Sequence, residues 1–268
     1  MTGGFRDRLC AGDRLVGTFV STPDGALAEL LGEAFDVVVV DLEHSAIGLG
    51  DMQAIAIAAQ GRGSAVLARV PGADSELLGV ALDAGLDGVV VPSVESVPQA
   101  VDAVARLRYP PGGRRGFGPR RANRYGRDRE YRHTADDGLA CIVQIESAAG
   151  VDEAAAIAAV AGVDALVLGP ADLSFALGTP LDPFSAPMRL AIDVTQAGAS
   201  AAGIAFGIAS NVSPDLLGDL VDDRCTLLLQ GTDLRMYAAV ADHTAAAARA
   251  ALQALPRPPV DGKAEVSV

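Results

Sequence analysis

Eight short apolar runs recur along this 268-residue chain, each followed by a segment of helical length. They fall at 14–20 (RLVGTFV), 36–42, 65–69, 88–92, 139–145, 163–169, 203–208 and 225–230. Runs this short and almost continuously apolar fit strands buried on both faces, as in a parallel sheet covered by helices. Helices are expected at 24–34, 50–60, 74–84, 95–107, 149–160, 186–201, 213–220 and 232–254. Asp24, Asp51 and Ser213 stand where a side-chain oxygen caps a helix start, and Gly85 and Gly162 where helices stop. Eight such units predict an α/β fold of the (β/α)8 TIM-barrel type, a single domain over 1–255, with 256–268 as a Pro-rich polar tail. A doubly wound sheet is the rival. It expects a G-x-G-x-x-G turn after the first strand, and that turn is absent from the sequence.

Composition narrows the function. Half the residues are hydrophobic, enough to build a core, which excludes disorder for the chain as a whole. With 34 acidic against 21 basic residues the net charge is −13, the wrong sign for a nucleic-acid binder. The apolar runs are too short to cross a membrane, and MTGGFRDRLCAGDR has no apolar signal core. Cys10, Cys141 and Cys225 lie far apart and match no zinc spacing, so a soluble cytoplasmic protein is expected. Of the basic residues, Lys263 in the tail is the one lysine. Schiff-base catalysis needs a buried lysine with a lowered pKa, and this chain offers none.

The active site of a barrel lies at the C-terminal ends of its strands. There the sequence places Asp41-Leu42-Glu43-His44, Arg69, Gln144-Ile145-Glu146 and Gly169-Pro170-Ala171-Asp172. Glu146 and Asp172, on neighbouring strands, suit a hard divalent ion such as Mg or Mn; Asp172 serves equally well as a helix cap. His44 has the side chain for proton transfer near neutral pH, or is a hydrogen-bonded strand-end histidine. Arg69 ends an apolar strand and needs an anionic partner: a substrate oxygen, or Asp41 or Glu43. Gln144 shares the strand face of Glu146 and either orients a substrate or sits satisfied in the barrel mouth. The segment 109–137 carries eight of the twenty arginines, either as a functional lid or as a solvated loop.

These strand ends resemble those of the HpcH/HpaI aldolases. The matching pieces are VVDLEH at 39–44, LARVPG at 67–72, ALDAGLDGVVVPSVES at 81–96, RYPPGGRRGFG at 108–118, VQIES at 143–147 and GPADLS at 169–174. The resemblance implies a metal-dependent aldolase that makes or cleaves 4-hydroxy-2-oxo acids from pyruvate and an aldehyde. It implies Glu146 and Asp172 as ligands to a divalent metal (Mg, Mn or Co), His44 as base and Arg69 as the stabiliser of oxyanion charge. Asp83 would reach His44 from a neighbouring subunit of a homo-oligomer, commonly a hexamer. Gln144, Gly169, Pro170 and Ala171 would line the pyruvate pocket. Departures at Thr18, at 119–125 and at Gly231-Thr232-Asp233-Leu234 bear on the aldehyde side. An oxaloacetate decarboxylase or another carbon–carbon bond-forming enzyme would use the same site, and a non-catalytic keto-acid-binding barrel is a third reading.

Overall fold

The structure, a computed structural model, describes residues 4–256, and in it eight parallel strands close into a barrel in sequence order. They are β1 Leu15–Val20, β2 Val37–Asp41, β3 Ala65–Arg69, β4 Gly88–Val91, β5 Ala140–Ile145, β6 Ala165–Leu168, β7 Ala205–Ser210 and β8 Leu227–Thr232. All eight runs read from the sequence form strands, with ends displaced by at most two residues. The helices are α1 Phe5–Cys10, α2 Gly25–Ala34, α3 Leu49–Gln60, α4 Leu77–Asp83, α5 Val97–Leu107 and α6 Tyr131–Gly138. After these come α7 Ala148–Asp152, α8 Ala154–Ala158, α9 Pro170–Ala176, α10 Ala186–Ala202, α11 Leu217–Leu220 and α12 Asp233–Gln253.

Departures from the expected helices have local causes. The segment 149–160 is split at Glu153, whose backbone (φ −93°, ψ 0°) closes α7 and opens α8. The helix expected over 74–84 starts only at Leu77, and 213–220 begins as a 3-10 turn at Pro214–Leu216. The short α1, α6 and α9 lie outside the expected helices, because six to eight residues hold too few turns for an apolar period to show.

Side chains pointing inward fill the barrel. Phe19, Val39, Leu67, Val90, Ile142, Val167 and Leu229 belong to one buried cluster. Phe5 and Leu9 of α1 join it beside Leu15, Val37 and Ala140 near the strand starts, so α1 plugs the N-terminal end. Ion pairs fasten that plug: Arg6 to Asp164 at 2.9 Å and Arg8 to Asp36 at 2.9 Å. With its N-terminal end stoppered, the barrel is left open to chemistry at the opposite end.

By its contacts the chain divides into residues 1–233, which hold all eight strands, and residues 234–268. Lys263 and the tail beyond residue 256 lie outside the described residues. No helix among the described residues is long and apolar enough to cross a membrane.

Close approach between α2 and α3 yields a first prediction. A Cβ on Gly32 would meet the Cα and carbonyl oxygen of Ala59 at 2.7 Å, and backbone atoms yield little. Alanine gains about 1 kcal/mol of helix propensity over glycine, but overpacking costs about 1–3 kcal/mol. Gly32→Ala is therefore expected to lower the melting temperature by a few degrees in a calorimetric scan. A rise would show that the helices separate freely.

Candidate active site

Strand register brings the first polar group together. Asp41 and Arg69 are partners in the β2–β3 ladder, so their side chains leave adjacent strand ends at one level. Arg69 Nε donates to Asp41 Oδ1 at 3.0 Å and Nη2 to Oδ2 at 2.7 Å, a bidentate pair. Asp41 Oδ1 also accepts the backbone N–H groups of Glu43 (3.1 Å) and His44 (3.2 Å), which turns the chain across the mouth. Burial pushes the Asp41 carboxyl up, but the hydrogen bonds and charge of Arg69 outweigh it and hold the group below the ordinary range.

Arg69 thus takes the ion-pair alternative, and takes it twice, because its Nε also lies 3.3 Å from Glu43 Oε2. Its guanidinium sits 4.6 Å over the Phe19 ring, a further restraint on its plane. Glu43 responds differently. Burial raises its carboxyl, Arg69 opposes this, and the charge of Glu146 adds to the rise, which ties Glu43 electrostatically to the next group. His44 is exposed, with Nε2 3.8 Å from Glu43 Oε2, outside hydrogen-bond reach.

The second group forms on β5 and β6. Ile145 pairs with Leu168, so Glu146 stands level with Gly169. Glu146 is buried and accepts hydrogen bonds from Ser93 Oγ at 2.6 Å and from Gln144 Nε2. A Cβ on Gly169 would lie 3.1 Å from both Gln144 Nε2 and Glu146 Oε2, so glycine there leaves the carboxylate its room. Gln144 Oε1 is buried and accepts no hydrogen bond. Asp172 is not at a strand end: it sits in the first turn of α9, which opens with Pro170 after the N-cap Gly169. It does not cap that helix, and its exposed carboxylate makes no hydrogen bond or ion pair among the described residues. Pro170 is buried and Ala171 exposed beside it.

Asp83 is elsewhere. Helix α4 runs back from the end of β3 to the start of β4, so its last residue lies at the opposite end of the barrel from His44. There Asp83 Oδ1 accepts from Arg115 Nη2 at 2.7 Å; the Arg115 side chain is 1% exposed and stacks 4.6 Å over Tyr109. Arg121 binds the Gly85 carbonyl at 3.1 Å at the same end, so these loop arginines serve the end of α4 rather than the mouth of their own barrel.

Three residues play parts that sequence reasoning did not assign to them. Ser93 lies within the matching segment at 81–96 but was given no role there, yet it holds Glu146 from a backbone with φ 55°, a conformation costing non-glycine residues on the order of 1–3 kcal/mol. Asp233 is buried and accepts from Ser21 N–H (3.1 Å), Ser21 Oγ (2.6 Å) and Thr22 N–H (2.9 Å), tying the loop after β1 to the end of β8. Thr18, expected on the aldehyde side, is instead fully buried and donates to the Gly231 carbonyl at 3.2 Å. An aspartate directly after the last strand was the available signal for Asp233; the other two become visible only when strands are paired.

Among the described residues no group of three or more His, Cys, Asp or Glu side chains is placed to hold a metal. The mouth nevertheless fits a hard divalent ion. It presents the carboxylates of Glu146 and Asp172, an acceptor in Gln144 Oε1 without a donor, and the space that Gly169 leaves open. Such an ion would complete its shell with water and substrate oxygens, as Mg commonly does.

A family model described as HpcH/HpaI aldolase/citrate lyase matches residues 16–238. The chain belongs to this family. It is 38% identical over 223 residues to the 2-dehydro-3,6-dideoxy-6-sulfogluconate aldolase of Pseudomonas putida, covering 82% of this chain and 87% of that protein. It is 40% identical over 215 residues to a hydroxypyruvate/pyruvate aldolase of Paraburkholderia phytofirmans, covering 77% and 83%. A crystal structure of a family protein from Burkholderia cenocepacia superposes with a TM-score of 0.86 at 31% identity, covering 91% of this chain and 98% of that one. The named relatives are carbon–carbon lyases, and this chain is an enzyme of the aldolase family.

The Asp41–Arg69 pair is testable apart from catalysis. A carboxyl held below its unfolded value near 3.9 stabilises the fold fully above that pH and stops doing so as pH falls through the lower folded value. Asp41→Asn strands a largely buried guanidinium and should cost about 3 kcal/mol, the lower end for a broken buried pair, because Glu43 still partners Arg69. Urea unfolding from pH 7 to pH 3 should show the full deficit at neutral pH and a deficit that shrinks progressively once the pH falls below about 4. A deficit independent of pH would assign the loss to packing alone.

Proposed function

We propose that this protein is a divalent-metal-dependent aldolase that joins or cleaves pyruvate, or a close 2-oxo acid, and an aldehyde. The observation that carries this reading is the contrast between two strand-end carboxylates. Asp41 is paired with the Arg69 guanidinium, whereas Glu146 is held by the uncharged donors Ser93 and Gln144 and has no cationic partner among the described residues. Glu146 and Asp172 would be the protein ligands to Mg, Mn or Co. Bound there, the ion supplies Lewis acidity at the keto oxygen of a 2-oxo acid, which makes the adjacent C–H acidic enough to ionise.

The chain's own residues supply the rest. Arg69, fixed in plane by Asp41 and Phe19, sets a positive charge in advance where a substrate oxygen turns negative, without reorganising during the reaction. Gln144 Oε1 and the Gly169–Pro170–Ala171 backbone form the wall beside Glu146 against which the 2-oxo acid is oriented. His44, exposed at the rim, takes the proton of the C4 hydroxyl as the C3–C4 bond breaks, and returns it when the bond forms. Asp83 would orient that imidazole from a second copy of the chain, since within one chain the two residues occupy opposite barrel ends. This pairing requires a homo-oligomer, for which the family resemblance implies a hexamer. Three free cysteines support a reducing, cytoplasmic setting.

Proton exchange tests the reading without choosing an aldehyde. In D2O, pyruvate should lose its methyl proton signal in the NMR spectrum when protein and Mg or Mn are present. The signal should persist with EDTA or with Glu146→Gln. Retained exchange in EDTA would sink metal-dependent chemistry here.

Mixing tests the shared site. His44→Ala and Asp83→Asn should each be nearly inactive in aldol cleavage. Dissociated and reassembled together at equal amounts, they should recover about a quarter of the wild-type sites, the share that random assembly gives a site spanning two copies. No recovery in correctly assembled mixtures would place Asp83 outside the site.

A further inference from the structure

The turn after β4 holds Ser93 in the left-handed region at φ 55°, where serine has no conformational reason to be. Its neighbours do not demand a side chain there, since a cavity of about 560 Å³, lined by Gly72, Asp74, Pro92, Pro98 and Gln99, lies beside it. What the strained turn achieves is the 2.6 Å hydrogen bond from Ser93 Oγ to Glu146 Oε1. Two other donor types were available to such a site, and each would act differently. A cation would hold Glu146 but cancel its charge, as Arg69 does for Asp41. A backbone N–H would be fixed to the register of the strand. A hydroxyl from the turn after the neighbouring strand holds the carboxylate from the side and brings no charge of its own.

An ionised carboxylate has about four acceptor positions. Ser93 takes one on Oε1 and Gln144 one on Oε2, so each oxygen keeps a lone pair for another partner. We propose that Ser93 is a positioning residue for Glu146, its turn placing a hydroxyl that fixes the carboxylate in the orientation needed to bind a divalent ion. This deepens the metal-dependent reading and rests on Glu146 being a ligand. Neutral residues that orient a metal ligand from behind commonly control affinity by about 10- to 100-fold, without touching the ion.

Ser93→Ala removes the hydroxyl and keeps the strained backbone, whereas Ser93→Gly removes both. Each full-length variant, stripped with EDTA, would be titrated with Mn, reading the free aquo-ion by electron paramagnetic resonance, alongside a thermal melt. Both variants should bind Mn at least about 10-fold more weakly than the parent protein. The glycine variant should melt no lower than the alanine variant, because glycine adopts φ 55° without strain. A purely structural serine would shift the melt and leave Mn affinity alone. Wild-type Mn affinity in both Ser93 variants, with binding lost in Glu146→Gln, would overturn the role of Ser93 and leave the metal reading standing. Wild-type affinity in Glu146→Gln would overturn the ligand assignment itself, and the role of Ser93 with it.

Discussion

Closure of the barrel at the β1–β8 seam is the constraint on which everything else depends. A parallel sheet of eight strands leaves two unpaired edges unless the last strand returns to the first. Here β1 pairs with β2 on one side and β8 on the other, and the β8 ladder slips register between Gly17 and Phe19. Thr18, at the slip, compensates with its hydroxyl on the Gly231 carbonyl, and Gly231 itself adopts φ 71°. Just above, Asp233 gathers the N–H groups of Ser21 and Thr22. A buried carboxylate with several donors is an expensive group to leave unsatisfied, so it fixes the two strand ends firmly.

With the seam closed, register dictates which polar groups meet. Four carboxylates (Asp41, Glu43, Glu146 and Asp172) and one guanidinium, Arg69, occupy the mouth. Charges of one sign crowded in a low-dielectric cleft raise each other's protonation, as Glu146 does to Glu43. Arg69 relieves part of this by neutralising Asp41, which leaves an acidic remainder centred on Glu146. In the proposed function that remainder is met by a divalent cation. Helix α1 plugs the N-terminal end, whereas Gly169 leaves room beside Glu146 at the C-terminal end, where barrels of this kind carry their active sites.

Much of this was legible in the residues. The eight apolar runs identify the strands because parallel strands covered on both faces need unbroken hydrophobicity, a signal that survives without neighbours. Arg69 at the end of AVLA demanded an anion, and Asp41 and Glu43 were the candidates at hand. The helices were less legible where they are short, as with α1 and α9, or where a break such as Glu153 interrupts them. Asp172 illustrates the limit: the sequence puts it at the end of β6, but Pro170 starts a helix there and moves it one turn onward.

By itself, then, the sequence determined the strand count, the parallel order and the list of polar residues at the strand ends, because each follows from local hydrophobic pattern and period. Only the tertiary structure decided which of those residues touch. It paired Arg69 with Asp41, gave Glu146 to Ser93 and Gln144, turned Thr18 into a seam residue and carried Asp83 to the far end of the barrel. The physical reason is that contacts across a barrel are set by register and closure. Those are properties of eight strands at once, and no window of a single chain segment contains them.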